Sequence, residues 1–276
     1  MKYFFLSLSI FLFCSTLIWS QTKQKDEPSS YLDDFIFDWQ TSKDSFLLKA
    51  ISKSYAPIEI IISDRQTERE LYSLLLQSFD SIEILKLKGK NLDSVKQKIS
   101  DSLKIGYYFG HPEIIKPDLN HPYTLPFRKN KAYEVSQGFN GKTSHNHIAS
   151  RYAIDFQLNV GEPIYAARSG TVVKVIDWFS KQGGPELKNA ANKILILHKD
   201  GTIGNYAHLD YKGSLVREGM YVEAGQKIGI SGLTGYTNGP HLHFVVRKER
   251  DIAIPIQFEG YENRNLKKGK HYIRKL

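Results

Sequence analysis

From Tyr123 onward the chain is cut into short apolar runs by glycines, and this texture leaves few folds open. Residues 133–138, 152–157, 163–167, 170–177, 193–198, 204–208, 227–231 and 241–247 each form such a run. They carry no sustained 3.6-residue period and are too short for stable helices, so they read as strands with glycine-bearing turns. The expectation for residues 123–260 is an antiparallel all-β domain, a sheet or half-open sandwich.

The preceding part reads differently. Residues 31–39 and 55–63 look like strands, the second through Ile58, Ile60, Ile61 and Ile62, and 81–88 and 106–109 add two more. Leu92, Val95, Ile99 and Leu103 recur at helical spacing, while Leu71, Leu74, Leu75 and Phe79 fit a helix or an irregular connection. Residues 31–112 are therefore expected as a small β-rich domain, 113–122 as a linker bearing Pro117 and Pro122, and 261–276 as a basic C-terminal tail. His111 and His121 each precede a proline and are expected in exposed turns.

The N-terminus has Lys2, an apolar stretch from Tyr3 to Trp19 and then a polar run, the pattern of a secretory signal over 1–20 followed by a disordered start over 21–30. The stretch is short for a retained anchor, so no stable membrane span is expected after cleavage, and the location is periplasmic or extracellular. Cys14, the only cysteine, falls inside it. Lipidation there is the alternative, although Leu12-Phe13 lacks the small residue such a signal carries. A mature chain without thiolates must hold any metal through His, Asp, Glu or Asn. The formal charge of +9 suits an anionic partner, yet it lies largely in solvated runs without aromatic interleaving, so no nucleic-acid partner is expected.

Four places carry side chains fit for metal chemistry. His241 and His243 are two apart in an apolar run, and in a strand they would share a face, as one ligand beside one acid/base group or as two ligands. Asp155 is embedded in the apolar run 152–156, where a buried carboxylate needs a cation or hydrogen bonds. His208 follows Asn205-Tyr206-Ala207, and Ser144-His145-Asn146-His147 forms a polar loop. His198 ends a strand before the Asp200-Gly201 turn, a position that suits structure more than ligation.

Tyr206-Ala207-His208-Leu209, Gly225-Gln226-Lys227-Ile228-Gly229, Gly232-Leu233-Thr234-Gly235 and Gly239-Pro240-His241-Leu242-His243-Phe244 occur in that order, preceded by Gly161-Glu162-Pro163 and Gly170-Thr171-Val172-Val173. Over roughly 123–247 this set resembles the lysostaphin-type (LytM-like) zinc metallopeptidases, which hydrolyse peptidoglycan. The resemblance implies one Zn2+ held by His145, Asp155 and His243, with His208 and His241 assisting catalysis. The family's usual first ligand stands four residues before the aspartate, which here is Arg151, so a longer loop is inferred and His147 is the alternative to His145. The implied activity is metal-assisted hydrolysis of peptide bonds in peptidoglycan stem peptides or cross-bridges. The N-terminal domain is expected either to dock a partner in the cell-wall machinery or to cover the groove. Two rival readings are a catalytically inactive relative that regulates another wall hydrolase and a wall-binding β module.

Overall fold

The computed structural model describes residues 34–275. The expected export signal with Cys14 and the polar start therefore lie outside the described residues. The chain divides into two units that meet between His111 and Pro112.

The first unit contains β1 (Phe35–Ser42), β2 (Ser45–Ser52), β3 (Ile58–Asp64), β4 (Glu70–Leu76), β5 (Ser81–Lys88), α1 (Leu92–Ser102) and β6 (Leu103–Phe109). Two three-stranded antiparallel sheets result, ordered β1-β2-β5 and β4-β3-β6. In β2, buried and partly buried residues alternate strictly, as a strand with one covered face requires. The expected helix is α1, started by Asn91, whose side-chain oxygen accepts from the Ser94 N–H at 2.9 Å.

Two readings of this unit change. Residues 70–76 form β4 instead of a helix or an irregular connection, because pairing with β3 supplies the backbone partners that β3 needs on that edge. Leucine spacing alone cannot register that demand. His111 is buried, not an exposed turn residue: its Nε2 lies 3.2 Å from Ser73 Oγ, and that hydroxyl donates to the fully buried Glu59 carboxylate at 2.7 Å.

The second unit runs β7 (Pro122–Tyr123), β8 (Ala132–Gln137), β9 (Ile154–Phe156), β10 (Pro163–Tyr165), β11 (Gly170–Ile176) and β12 (Gln182–Gly183). It continues with β13 (Lys193–Leu197), β14 (Ile203–Ala207), β15 (Leu209–Ser214), β16 (Tyr221–Val222), β17 (Lys227–Ser231) and β18 (Gly235–Tyr236). The last strands are β19 (Leu242–Lys248), β20 (Ile252–Ala253), β21 (Gln257–Phe258) and β22 (His271–Ile273). Its main sheet is ordered β16-β11-β13-β14-β19-β9-β8-β22, with β20 on β19, and is antiparallel throughout. A smaller sheet is ordered β10-β17-β15, and β12–β18 and β7–β21 are short parallel pairs. The protein is mostly β, as the texture of the sequence implies, and no helix among the described residues is long and apolar enough to cross a membrane.

The core of this unit gathers the large buried side chains Tyr123, Phe127, Phe156, Tyr206, Phe244 and Phe258. The segment expected as a basic tail is not free. β22 pairs with β8, and the Arg274 guanidinium is buried and donates to Phe127 O at 3.3 Å. A free edge of β8 would leave backbone N–H and C=O groups unpaired, and β22 covers it.

Candidate metal centre

Strand register brings one row of residues together across four strands. Gln137 opposes Asp155, Asp155 opposes His243, and His243 opposes Ala207, the residue before His208. Alternation along β9 and β19 sends Ile154, Phe156, Leu242 and Phe244 into the core. Asp155 and His243 consequently share the other face.

The loop between β8 and β9 adds His145, which is fully buried. Its Nδ1 lies 3.0 Å from Gly138 O, and a carbonyl only accepts, so Nδ1 carries the proton. In the neutral ring Nε2 then holds a lone pair, and that atom lies 3.2 Å from Asp155 Oδ1. Two lone pairs at this distance need a cation between them, either a proton or a metal. His243 Nδ1 lies 2.8 Å from the same carboxylate oxygen. Burial alone would raise the Asp155 pKa, but the His145 and His243 imidazoles beside it hold it well below the usual carboxylate range. Burial pushes the His243 imidazole down.

The donor atoms of His145, Asp155 and His243 all lie within 4.8 Å of one another, a set able to hold one metal ion. Donors bonded tetrahedrally at about 2.1 Å sit roughly 3.4 Å apart, and His145 Nε2 and His243 Nδ1 lie slightly inside that spacing, 3.2 and 2.8 Å from Asp155 Oδ1. A nitrogen–nitrogen–carboxylate set without thiolates suits zinc, and the buried carboxylate supplies charge that two neutral imidazoles lack.

His208 and His241 complete the cluster, their ring centroids 4.6 Å apart. His208 Nδ1 lies 2.7 Å from Thr234 O and His241 Nδ1 2.9 Å from Gly239 O, so each ring keeps Nε2 for the site. His241 Nε2 is 3.8 Å from Asp155 Oδ1. His208 has a left-handed backbone, φ +66°, between β14 and β15, a conformation that a non-glycine residue adopts at a cost and that turns its ring off the strand path. Burial, reinforced by the His241 and His243 rings, pushes its pKa down to about 3.

The other histidines lie apart. His147 is exposed, with Nε2 3.1 Å from Ser150 Oγ, so it is His145 that the fold places against Asp155. His198 is buried; its Nδ1 donates to Ser169 O at 3.0 Å, and burial lowers its pKa to about 4. It stands before β14 and His208 after it, so a whole strand separates them.

Gln137 is the participant that sequence reasoning missed. Its Nε2 donates to Asp155 Oδ2 at 3.0 Å and to Ser144 Oγ at 2.8 Å, while its Oε1 accepts the Thr143 and Ser144 N–H groups at 3.1 and 3.3 Å. Simple alternation would put Gln137 on the core side with Val135. The β-bulge between them shifts the register and turns Gln137 to the side of Asp155, and nothing in the sequence marks that bulge.

Residues 149–255 match the model of Peptidase family M23, a span that includes Asp155, His208, His241 and His243 and begins just after His145. The peptidoglycan DD-endopeptidase ShyB of Vibrio cholerae is 35% identical over 120 residues, which are 42% of this chain and 26% of that protein. Lysostaphin of Staphylococcus simulans is 42% identical over 94 residues, 34% of this chain and 17% of that protein. The crystallised catalytic domain of that lysostaphin is 31% identical, with a TM-score of 0.33, over 47% of this chain and 88% of the domain. The matched region thus spans about a quarter or less of these two full-length relatives.

Proposed function

We propose, for a chain that carries a Peptidase family M23 domain homologous to lysostaphin, that it is an exported zinc-dependent endopeptidase acting on peptide bonds of peptidoglycan. The observation that carries the reading is the convergence of His145 Nε2 and His243 Nδ1 on one oxygen of Asp155, with two further imidazoles beside it. His145, Asp155 and His243 would hold the zinc. The ion supplies Lewis acidity, polarising the scissile carbonyl and acidifying water.

The remaining steps belong to side chains of the domain. His208 and His241 present unprotonated Nε2 atoms; one of them would take the proton from the attacking water, and the imidazolium so formed would stabilise the developing oxyanion. The proton held by an imidazole is then available to the leaving amine. Asp155 stays ionised through the cycle and balances the charge that the imidazoles gain. The signal-like pattern of residues 1–20 supports action outside the cytoplasmic membrane.

The test pairs metal content with turnover. Purified protein incubated with peptidoglycan should release muropeptides identifiable by mass spectrometry, at one zinc per chain. His243→Ala should lose the zinc, and His208→Ala should keep it and lose turnover. Metal retained in both variants together with undiminished hydrolysis would overturn the assignment, and a stoichiometric zinc protein that binds peptidoglycan without cutting it would favour the regulatory reading.

A further inference from the structure

Beside the metal centre, on the β8/β22 side, runs an open groove of about 470 Å3 lined by residues 137–143 and 265–268. Gln137 belongs both to this groove and to the Asp155 network, and Gly138, another lining residue, holds His145 Nδ1 through its carbonyl. The groove therefore adjoins the candidate metal centre through Gln137 and Gly138. Lys142 stands on one wall and Lys267 and Lys268 on the other, and none of the eleven lining residues is acidic. All three lysines are exposed, and no ion pair to their ammonium groups is found among the described residues.

Both walls are fixed at the backbone. Gly269 N donates to Val135 O, and Val135 N to Lys270 O at 3.0 Å, which fastens the Lys267–Lys268 segment to β8. Gly138 meets that segment so closely that a Cβ there would stand 2.7 Å from Leu266 O. Gln137 Oε1 gathers the Thr143 and Ser144 N–H groups next to Lys142. Three like charges brought to one groove repel one another, and an anion relieves that repulsion.

We propose that this groove is a subsite for a carboxylate of the peptide substrate, so that the domain prefers stem peptides with free acid groups over amidated ones. The proposal deepens the peptidase reading by naming a chemical feature of its substrate. Carboxylate is favoured over a polymer phosphate because the groove adjoins the centre at which a peptide bond is to be placed, and any peptide ends in a carboxylate.

The experiment is a titration of the full chain, followed by NMR, with a synthetic stem tetrapeptide and with the same peptide amidated at its carboxylates. The free-acid peptide should bind about tenfold more tightly and shift the amides of residues 137–143 and 265–268, as expected for two or three partly exposed charge contacts. In the variant carrying Lys142→Gln, Lys267→Gln and Lys268→Gln that preference should vanish, with the unfolding temperature and zinc content unchanged. Equal affinity for the two peptides, a preference that survives in the variant, or shifts confined to other residues would overturn the proposal. So would inorganic phosphate binding the groove with the same lysine dependence while neither peptide binds. Binding does not require turnover, so a groove that prefers the free acid in a protein that cleaves nothing would refute the peptidase reading and leave the subsite standing.

Discussion

Replacing Gln137 by Met keeps the length and bulk of the side chain and removes all four of its hydrogen bonds. The bond to the Asp155 carboxylate is the strongest, about 1.5–3 kcal/mol, because its acceptor is charged. The bond to Ser144 Oγ contributes about 1 kcal/mol. The Thr143 and Ser144 N–H groups lie on an exposed or half-exposed loop, where water replaces the lost acceptor at small cost. The metal-free protein should therefore lose about 3 kcal/mol, read from urea unfolding. Zinc binding adds a second, separable readout. Gln137 orients Asp155 and tethers the loop that bears His145, two of the proposed ligands, and loss of such an outer partner costs about 10–100-fold in metal affinity. Competition against a chromogenic chelator measures this directly. A dissociation constant within about twofold of the native value, whatever happens to stability, would refute the view that Gln137 positions the ligands.

Three other perturbations have definite expected outcomes. Burial holds His198 at about 4 against a usual 6.5, so below pH 6.5 the unfolded chain binds the proton first and stability falls as pH drops toward 4, by about 3 kcal/mol in all; His198→Gln should flatten that slope in acid-unfolding curves of the metal-free protein. Asp200→Ala removes the charged partner of the Arg168 guanidinium, which lies 2.7 Å from Asp200 Oδ2 with both side chains largely buried and would keep its bond to the Tyr123 hydroxyl; the expected loss is about 3 kcal/mol by thermal denaturation, with zinc content unchanged. Gly138→Ala drives a methyl group toward Leu266 O and should destabilise the protein by about 1–3 kcal/mol, with accelerated hydrogen exchange at the β8–β22 pairing as its local signature.

The sequence made legible what depends on residue type and spacing. Glycine-cut β runs gave the mostly β fold, the helical spacing of Leu92, Val95, Ile99 and Leu103 marked α1, and the apolar run around Asp155 marked a carboxylate in need of a partner. What stayed hidden depends on pairing over distance. Strand β4 exists because β3 offers an open edge, and β22 because β8 does; neither edge can be read from the segment that fills it. His111 reads as a turn residue beside Pro112, yet Ser73 and Glu59, far away in sequence, give it a buried polar partner. Gln137 is concealed by a one-residue bulge, which reverses every face assignment made by counting alternate positions.

The imidazoles show how much of the site is set by loops. In His145, His208 and His241 the proton is placed on Nδ1 by a backbone carbonyl, of Gly138, Thr234 and Gly239 respectively, and the lone pair on Nε2 follows. His243 differs: it lies within a strand, and its Nδ1 faces Asp155. The carbonyl that fixes His208 is itself located by side chains that never touch the metal centre. Thr234 Oγ1 donates to Leu209 O at 2.7 Å and accepts the Asn192 N–H at 3.1 Å, and the buried Asn192 amide donates to Phe179 O and Asp210 O. A shift of Thr234 would leave His208 free to move its proton to Nε2, which would remove the acceptor that the proposed base needs. The left-handed backbone of His208 is thus held from both ends, by strand pairing before it and by this network after it, and its strain is borne by bonds outside the site.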